Sequence, residues 1–430
     1  MVRYELALNK VKKIIPRQFF LFFQPAYHFF LAFFAALFYG FPARKLTVIG
    51  IVGTKGKTTV VELAHEILKE AGIKTASLSS LRFKIGDREK QNDLKMTMPG
   101  RMFIQRFLHE ARRAGCKCVV LEVTSEGIKQ FRHRFIKFDV AVMTNVAPEH
   151  IEAHGSFEKY LRAKLDLFWR LRPSGLAIIN RDDSNHARFS AATSAHKMFY
   201  GKENIVANGK TWAIRDIKIG DAGIEFDLDG TTITSSLLGE FNFYNILTAT
   251  AITLSQHVAL EKIASAIGRI SGIPGRMEFV QREPFAVVVD YAHTPDSLKN
   301  VYAFLRNPKL ICVLGSTGGG RDKWKRPAMG KIAAEFCDKI ILTNEDPYDE
   351  NPQDIIDQIE SGFSQSRKPK AESLKIIDRR EAIREALKSA QPGDTVIITG
   401  KGAEQWIMGP GGTKISWDDR KVVREELRSP

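Results

Sequence analysis

Cysteine is scarce in this chain: Cys116, Cys118, Cys312 and Cys337 are the only four in 430 residues. They are too few for the disulfide framework of a secreted scaffold, and the Cys-x-Cys at 116–118 fits no common zinc spacing, so a reducing, cytoplasmic setting is expected. Internal repeats and low-complexity linkers are absent. So are RNA- and DNA-binding motifs, and no nucleic-acid partner is expected. No small-residue cleavage site of the secretory kind stands out, which argues against export. Acid is in deficit, with 49 Asp and Glu against 64 Lys and Arg and a formal net charge of +15. This excess is spread along the chain and suits an anionic partner such as a nucleotide, a sugar phosphate or an acidic membrane face.

Charge of either sign is missing from Gln18 to Ala43 ("QFFLFFQPAYHFFLAFFAALFYGFPA"), while Lys10, Lys12, Lys13 and Arg17 precede this run and Arg44 and Lys45 follow it. Its length allows a membrane span, but Gln24, Pro25 and His28 interrupt it. Three readings stay open: a helix pair lying on a membrane, a span, or a hydrophobic helical arm packed on the protein itself. Peripheral contact with the inner face of the membrane would run through residues 14–43.

Over its whole length the chain is 44% apolar, enough for sizeable cores. Strand, loop and helix alternate. "LTVIGIV" enters a glycine turn, and a helix from about Thr58 to Ala71 sets Val60, Leu63, Ala64, Ile67 and Leu68 on one face, with Gly72 as its stop. Further β-rich runs end in polar residues at 118–127, 138–146 and 175–183. The pattern predicts an α/β fold with a mostly parallel sheet and ligands at the carboxyl ends of its strands. Residues 211–238 instead alternate with turn signals, as antiparallel hairpins do. A second, Rossmann-like α/β unit follows Gly272-Ile273-Pro274-Gly275, with strands at 285–293, 309–320, 339–347 and 394–402. The expected organisation is an arm at 1–45, an ATP-binding domain at 46–273 and a C-terminal α/β domain at 274–430.

The stretch "GIVGTKGKTTVVELAHEILKEAG" carries the first chemistry. Glycine-loop N–H groups at a helix N-terminus bind phosphate, a lysine balances charge, and a following hydroxyl can ligate Mg²⁺. Gly53, Thr54, Gly56, Lys57, Thr58 and Thr59 have those roles available, although Ile51 stands where the usual first glycine of G-x4-G-K-[ST] would be. Alone, this loop says only that a nucleotide triphosphate binds.

The rest of the chain narrows the choice. "GTKGKTT", "LEVTSEG", "TNVAPEHIEAHGSFEKYLRAK", "IINRDD", "GEFNFYN", "IPGRMEFV", "DYAHTPDSL", "GGGRDKWKRPAMG", "TNEDP" and "GKGAE" follow one another in that order. The series resembles the Mur ligase family of ATP-dependent peptidoglycan peptide ligases, most of all its tripeptide synthases, and covers Leu46 to about Trp406. The resemblance implies ATP and Mg²⁺ as cofactors, and a muramoyl-peptide precursor and a free amino acid as partners. It also implies transfer of the ATP γ-phosphoryl group to a carboxylate, followed by attack of an amine. By the same resemblance Lys57, Glu122, His150 and Lys164 are catalytic. Thr58, Glu122, His150 and a carbamylated Lys164 would hold metal, and Asn242, Arg276, His293 and Asp322 would approach ATP. Asn242 and Asp322 could equally cap turns. Lys325 and Arg326 are further candidates for contacts with phosphates.

The chain departs from the family in two places. Where diaminopimelate-adding members have Asp-Asn-Pro-Arg, it reads Glu345-Asp346-Pro347-Tyr348, so the arginine that grips a far carboxylate is gone. Glu345, Asp346, Asp349 and Glu350 would favour a cationic side chain such as that of lysine. Glu404 remains in "GKGAE" for the α-amino group, with Ala403 in place of the usual histidine. Second, the aromatic arm stands where the family has a uridine-binding N-terminal domain, which opens the possibility of a lipid-linked acceptor. The same chemistry on a different substrate, and a membrane-associated ATPase, stay open as well. Oligomeric state is not legible.

Overall fold

The computed structural model describes residues 17–94, 96–149, 154–305, 309–320, 323–366 and 371–428, with no side-chain description for 17–22. The larger sheet has twelve strands: β1 (Thr47–Val52), β2 (Thr75–Leu78), β3 (Arg82–Ile85), β4 (Arg88–Gln91), β5 (Cys118–Glu122), β6 (Val140–Met143), β7 (Leu176–Asn180), β8 (His196–Tyr200), β9 (Asn204–Ala207), β10 (Lys210–Gly220), β11 (Gly223–Leu228) and β12 (Thr231–Ser235). In space their order is β12-β11-β10-β9-β8-β7-β6-β1-β5-β2-β3-β4. From β2 through β8 every neighbouring pair is parallel, and the strands outside that block pair antiparallel.

Central strands read as unbroken Val and Ile because both of their faces are covered. Ile49 and Ile51 of β1 pack under the helices Lys57–Glu70 and Glu240–Leu254. Val48 and Val52 point the other way, toward the apolar faces of the helices Arg101–Arg113 and Phe157–Trp169. Gly50 between them lets the Phe138 ring lie against the strand; a Cβ there would stand 2.7 Å from two of its ring carbons.

A second sheet has six strands, β13 (Glu278–Gln281), β14 (Ala286–Val289), β15 (Leu310–Leu314), β16 (Lys339–Leu342), β17 (Glu372–Lys375) and β18 (Thr395–Ile398), in the order β13-β14-β18-β15-β16-β17. All are parallel except β13. A short ribbon, β19 (Trp406–Met408) with β20 (Lys414–Ser416), follows. One thiol expectation fails here: Cys312 of β15 and Cys337, which ends the helix Lys325–Phe336, are disulfide-bonded with Cα atoms 6.1 Å apart. The helix ends beside β15 as the chain turns into the neighbouring β16, and this brings the two sulfurs together. Cys116 and Cys118 are free and buried.

Among the described residues the N-terminal arm has one α-helix, Arg17–Phe38, containing Pro25. Its small face, Ala32, Ala35 and Ala36, is fully buried, and it packs on the helix Arg101–Arg113. Phe29 and Phe33 meet the Phe135 ring at 5.1 and 5.4 Å. Its other face carries Phe23, Tyr27, Phe30, Phe34, Leu37 and Phe38, all exposed. Among the described residues no helix is long and apolar enough to cross a membrane.

Substituting Gly50→Ala forces a methyl into the Phe138 ring. The expected cost is about 1–3 kcal/mol of stability, read as a lowered unfolding temperature; an unchanged transition would show that this packing is loose.

Candidate active site

The glycine loop joins β1 to the helix Lys57–Glu70 and is gripped from two sides. Thr144 and Asn145, just past β6, bind it from below: Thr144 Oγ1 donates to Lys55 O (2.8 Å), Lys55 N donates to Asn145 Oδ1 (2.9 Å), and Thr54 N donates to Asn145 O (2.8 Å). Gly53 is required because a Cβ would lie 1.8 Å from Thr144 Oγ1. Gly56, at φ +81°, caps the helix, and a Cβ on it would lie 2.1 Å from Asn245 Oδ1. Asn245 Nδ2 in turn donates to Asn242 Oδ1 (2.9 Å), and Asn242 Nδ2 to Leu238 O (2.8 Å). Asn242 therefore supports the loop through Asn245.

Lysines from two helices converge on one carbonyl. Lys57 Nζ donates to Gly53 O (3.0 Å) and Thr54 O (2.9 Å), and Lys164 Nζ donates to Gly53 O (2.6 Å). Burial lowers the pKa of both. Lys164, from the helix Phe157–Trp169, is pushed well below the ordinary lysine value, with Lys57 as the next contributor. Thr54 Oγ1 is 3.0 Å from the Tyr160 hydroxyl. Thr59 is buried in the first turn of the helix.

Thr58 Oγ1 donates to Glu122 Oε2 (3.0 Å), which also accepts from Ser80 N (2.9 Å). Both Thr58 and Glu122 are buried. Among the described residues no group of three or more His, Cys, Asp or Glu side chains could hold a metal alone. The pair fits Mg²⁺ nevertheless, because that ion takes one or two protein oxygens and completes its shell with phosphate and water. His150 and Asp322 lie outside the described residues.

Residues following β14 face the loop. His293 Nε2 is 3.8 Å from Glu149 Oε1, which also pairs with Lys55 Nζ at 3.0 Å. His293 Nδ1 lies 2.7 Å from Tyr291 O. A carbonyl can only accept, so Nδ1 carries the proton. Burial, then Lys55 and Lys325, hold the His293 pKa well below its ordinary value. Arg276 stacks 4.1 Å over the Tyr291 ring, and Lys325 Nζ donates to His293 O (3.0 Å). Arg326 does not join them. It is fully buried and donates to Glu350, Gln358 and Thr317 O.

The four residues expected to meet the amino acid gather at the carboxyl ends of β16 and β18. Lys401 Nζ donates to Asp346 Oδ1 and Glu404 Oε2, both at 2.7 Å. Burial opposes the Lys401 charge, but Glu404, Asp346 and Glu345 together hold its pKa above the usual value. Glu345 accepts from Thr317 Oγ1 (2.6 Å), and burial pushes its carboxyl upward. Tyr348, at φ +51°, lies against Gly319.

Residues 51–253 match the Mur ligase middle domain, and residues 275–402 match the Mur ligase glutamate ligase domain. This chain belongs to the Mur ligase family. A relative from Syntrophomonas wolfei, named UDP-N-acetylmuramoyl-L-alanyl-D-glutamate--2,6-diaminopimelate ligase, is 37% identical over 93% of this Mur ligase and 81% of its own length. The UDP-N-acetylmuramyl-tripeptide synthetase of a Roseiflexus species is 36% identical over 91% and 81%. A solved diaminopimelate ligase superposes with TM-score 0.59 at 30% identity, covering 89% of this chain and 78% of its own. Folylpolyglutamate synthase of Mycobacterium tuberculosis, at 17% identity and TM-score 0.69, shares the fold. Mur ligases are ATP-dependent ligases joining an acid to an amine. Sequence reading missed the supports of this Mur ligase's loop, Thr144, Asn145, Tyr160 and Asn245, although all four lie within the motifs that begin at Thr144 and Gly239.

Gly56→Ala would force a left-handed backbone on a residue with a Cβ and push that Cβ into Asn245. ADP affinity, titrated with a fluorescent analogue, is expected to fall about tenfold or more. Unaltered affinity would mean that the loop does not bind the nucleotide phosphates.

Proposed function

We propose that this Mur ligase adds an amino acid to the peptide of a muramoyl precursor of peptidoglycan, using ATP and Mg²⁺ in the cytoplasm. The observation that carries this is the convergence of Lys57, Lys164, Thr58 and Glu122 on one glycine loop, faced by Arg276, His293 and Lys325. Two anions, the ATP γ-phosphate and a carboxylate, repel each other until cations offset their charge, and Lys57, Arg276 and Lys325 bring basic groups to where they would meet. The carboxylate oxygen takes the phosphoryl group to give an acyl phosphate. The amine nitrogen then attacks the carbonyl carbon, the C–O bond to phosphate breaks, and the amine loses a proton.

In this reading the N–H groups of Gly53, Gly56, Thr58 and Thr59 cradle phosphate, Thr54 serves the nucleotide by tying the loop to Asn145 O, and Lys57 balances the phosphate charge. Thr58 and Glu122, with His150, hold Mg²⁺, which neutralises phosphate charge. Asn242, Arg276, His293 and Asp322 serve the nucleotide. Lys164, whose pKa burial holds well below the ordinary lysine value, adds as its neutral amine to CO₂ and loses a proton to become a carbamate. Protein equilibrated with ¹³C-bicarbonate is expected to show one carbamate carbon resonance that Lys164→Met removes; the same resonance in the variant would rule out this lysine.

Glu345, Asp346, Tyr348 and Glu404 frame the amino-acid site. Tyr348 cannot grip a far carboxylate in two places, so diaminopimelate gains nothing there over lysine. Phosphate release from ATP, measured with UDP-muramoyl dipeptide and lysine, ornithine or diaminopimelate in turn, is expected to require both acceptor and amine. Release indifferent to either would favour a bare ATPase.

The exposed aromatic stripe favours a second element of the reading, a peripheral contact with the inner membrane face. No acidic residue occurs between Glu5 and Glu62, so the charged residues that the arm itself brings to anionic lipid, apart from Glu5, are all basic. Flotation with vesicles containing phosphatidylglycerol is expected to carry the protein upward, and Phe30→Ser with Phe34→Ser to abolish this without unfolding it. Equal flotation of both proteins would end the idea.

A further inference from the structure

The helix Lys57–Glu70 that carries Thr58 also carries Glu62, one turn further on and on the same side. Glu62 is fully buried, and none of the contacts described above uses it. Its Oε1 accepts from Ser79 Oγ (3.0 Å), and Arg82 Nε and Lys84 Nζ each lie 2.8 Å from its Oε2. Arg82 and Lys84 stand two apart on β3, so both cations meet the helix from one face of the strand, while Phe83 between them joins the apolar core on the other. A buried ion cluster of this kind often stabilises a fold no more than apolar side chains of the same size would. What it supplies here is a fixed position for the turn that joins β2 to β3.

Ser79 and Ser80 begin that turn. They follow Leu78 of β2, which pairs with Leu121 beside Glu122. The two serines clasp two successive turns of the helix: Ser80 Oγ lies 2.7 Å from Thr58 Oγ1, and Ser79 Oγ donates to Glu62. Thr58 gives its one hydroxyl proton to Glu122, so Ser80 is the donor to Thr58. Ser80 N also donates to Glu122 Oε2 (2.9 Å), the oxygen that Thr58 reaches. Asn92, just past β4, closes the turn from outside, through Nδ2 to Ser79 O (2.9 Å) and through N to Leu81 O (3.0 Å). Of the two ties to the helix, only the one through Glu62 is remote from the atoms offered to a metal ion. A cation that takes a lone pair of Thr58 Oγ1 competes with Ser80 for it and leaves the charged tie through Ser79 untouched.

Resting on the Mg²⁺ site proposed for Thr58 and Glu122, we propose that Glu62, with Arg82 and Lys84, is a positioning group for that site. It holds the β2–β3 turn so that Ser80 keeps Thr58 and Glu122 in place before the ion arrives, and it thereby sets the affinity for the ion without touching ion or nucleotide.

The test uses the full-length protein. A fluorescent ADP analogue is titrated in EDTA, and Mn²⁺ is then titrated into the ADP-loaded protein, with binding read from loss of the free-ion EPR signal. Glu62→Gln keeps the size of the side chain and removes the charge that Arg82 and Lys84 share. Its metal-free ADP affinity is expected to match wild type, and its Mn²⁺ affinity to fall about tenfold or more. Arg82→Gln, at a side chain 22% exposed, is expected to act in the same direction, and Arg82→Lys to restore most of the loss. Glu66→Gln takes a partner from Lys84 but leaves all three contacts of Glu62 in place, so Mn²⁺ affinity should be unchanged. If Glu62→Gln does not fold, the two Arg82 variants carry the same comparison.

The proposal is overturned if the Glu62 and Arg82 variants lower the unfolding temperature yet bind Mn²⁺ as wild type does, since the cluster then only stabilises the hairpin. It is overturned as well if metal-free ADP affinity falls by the same factor, because the cluster would then support the glycine loop as a whole. A wild-type protein that binds no Mn²⁺ beside ADP would remove the metal site and the proposal together. Amine-dependent phosphate release is measured on the same samples. Its absence from wild type, beside a Mn²⁺ affinity that the variants lose, would remove the ligase reading and leave the positioning role standing.

Discussion

Two lysines buried against one carbonyl oxygen, that of Gly53, form the constraint on which the rest of this structure depends. Burial lowers the pKa of both Lys57 and Lys164, and for Lys164 the neighbouring Lys57 adds to the effect. A fold tolerates such an arrangement when the site is made for a strong anion. The parallel sheet provides it by ending β1 and β6 side by side, so that the glycine loop rests on Thr144 and Asn145. The helices carrying the two lysines cover opposite faces of β1, and both reach the same loop.

The second sheet solves a related problem with internal pairs. Lys401 engages Asp346 and Glu404, Arg326 engages Glu350, and Arg379 forms a buried two-bond pair with Asp419. Breaking one partner of such a pair strands a buried charge, so these contacts fix the loops at the carboxyl ends of β15, β16 and β18. They also change how the acidic run at 345–350 reads. In sequence it is four carboxylates facing a cationic substrate. In the folded chain Asp346 and Glu350 pair with the protein's own cations, Asp349 accepts from Gly411 N, and burial favours the neutral form of Glu345.

The elements most legible in the sequence were those with an unbroken apolar run and a glycine stop. β1 and the helix after it fall within a residue or two of expectation, and the hairpins at 211–238 correspond to β10–β12. The pair β3 and β4 was not legible, since each strand has only four residues and β4 is wholly exposed. Periodicity cannot distinguish such a ribbon from a loop. The arm divided along its own axis: its lack of charge was plain, but the burial of its alanines and the exposure of its phenylalanines depend on the helix Arg101–Arg113, which no local pattern announces. The Cys312–Cys337 bond likewise depends on β15 and β16 being neighbours in space. At the site, residues that would touch phosphate were visible as motifs, whereas the side chains that hold the loop in place were not.

The central claim is that ATP activates a carboxylate of the acceptor. The most direct measurement uses an acceptor labelled with ¹⁸O in its reacting carboxylate and follows the label by mass spectrometry of the phosphate released. Passage through an acyl phosphate predicts one ¹⁸O atom transferred to inorganic phosphate for each amide bond formed. Phosphate carrying only unlabelled oxygen would mean that water attacks ATP, and would contradict the account.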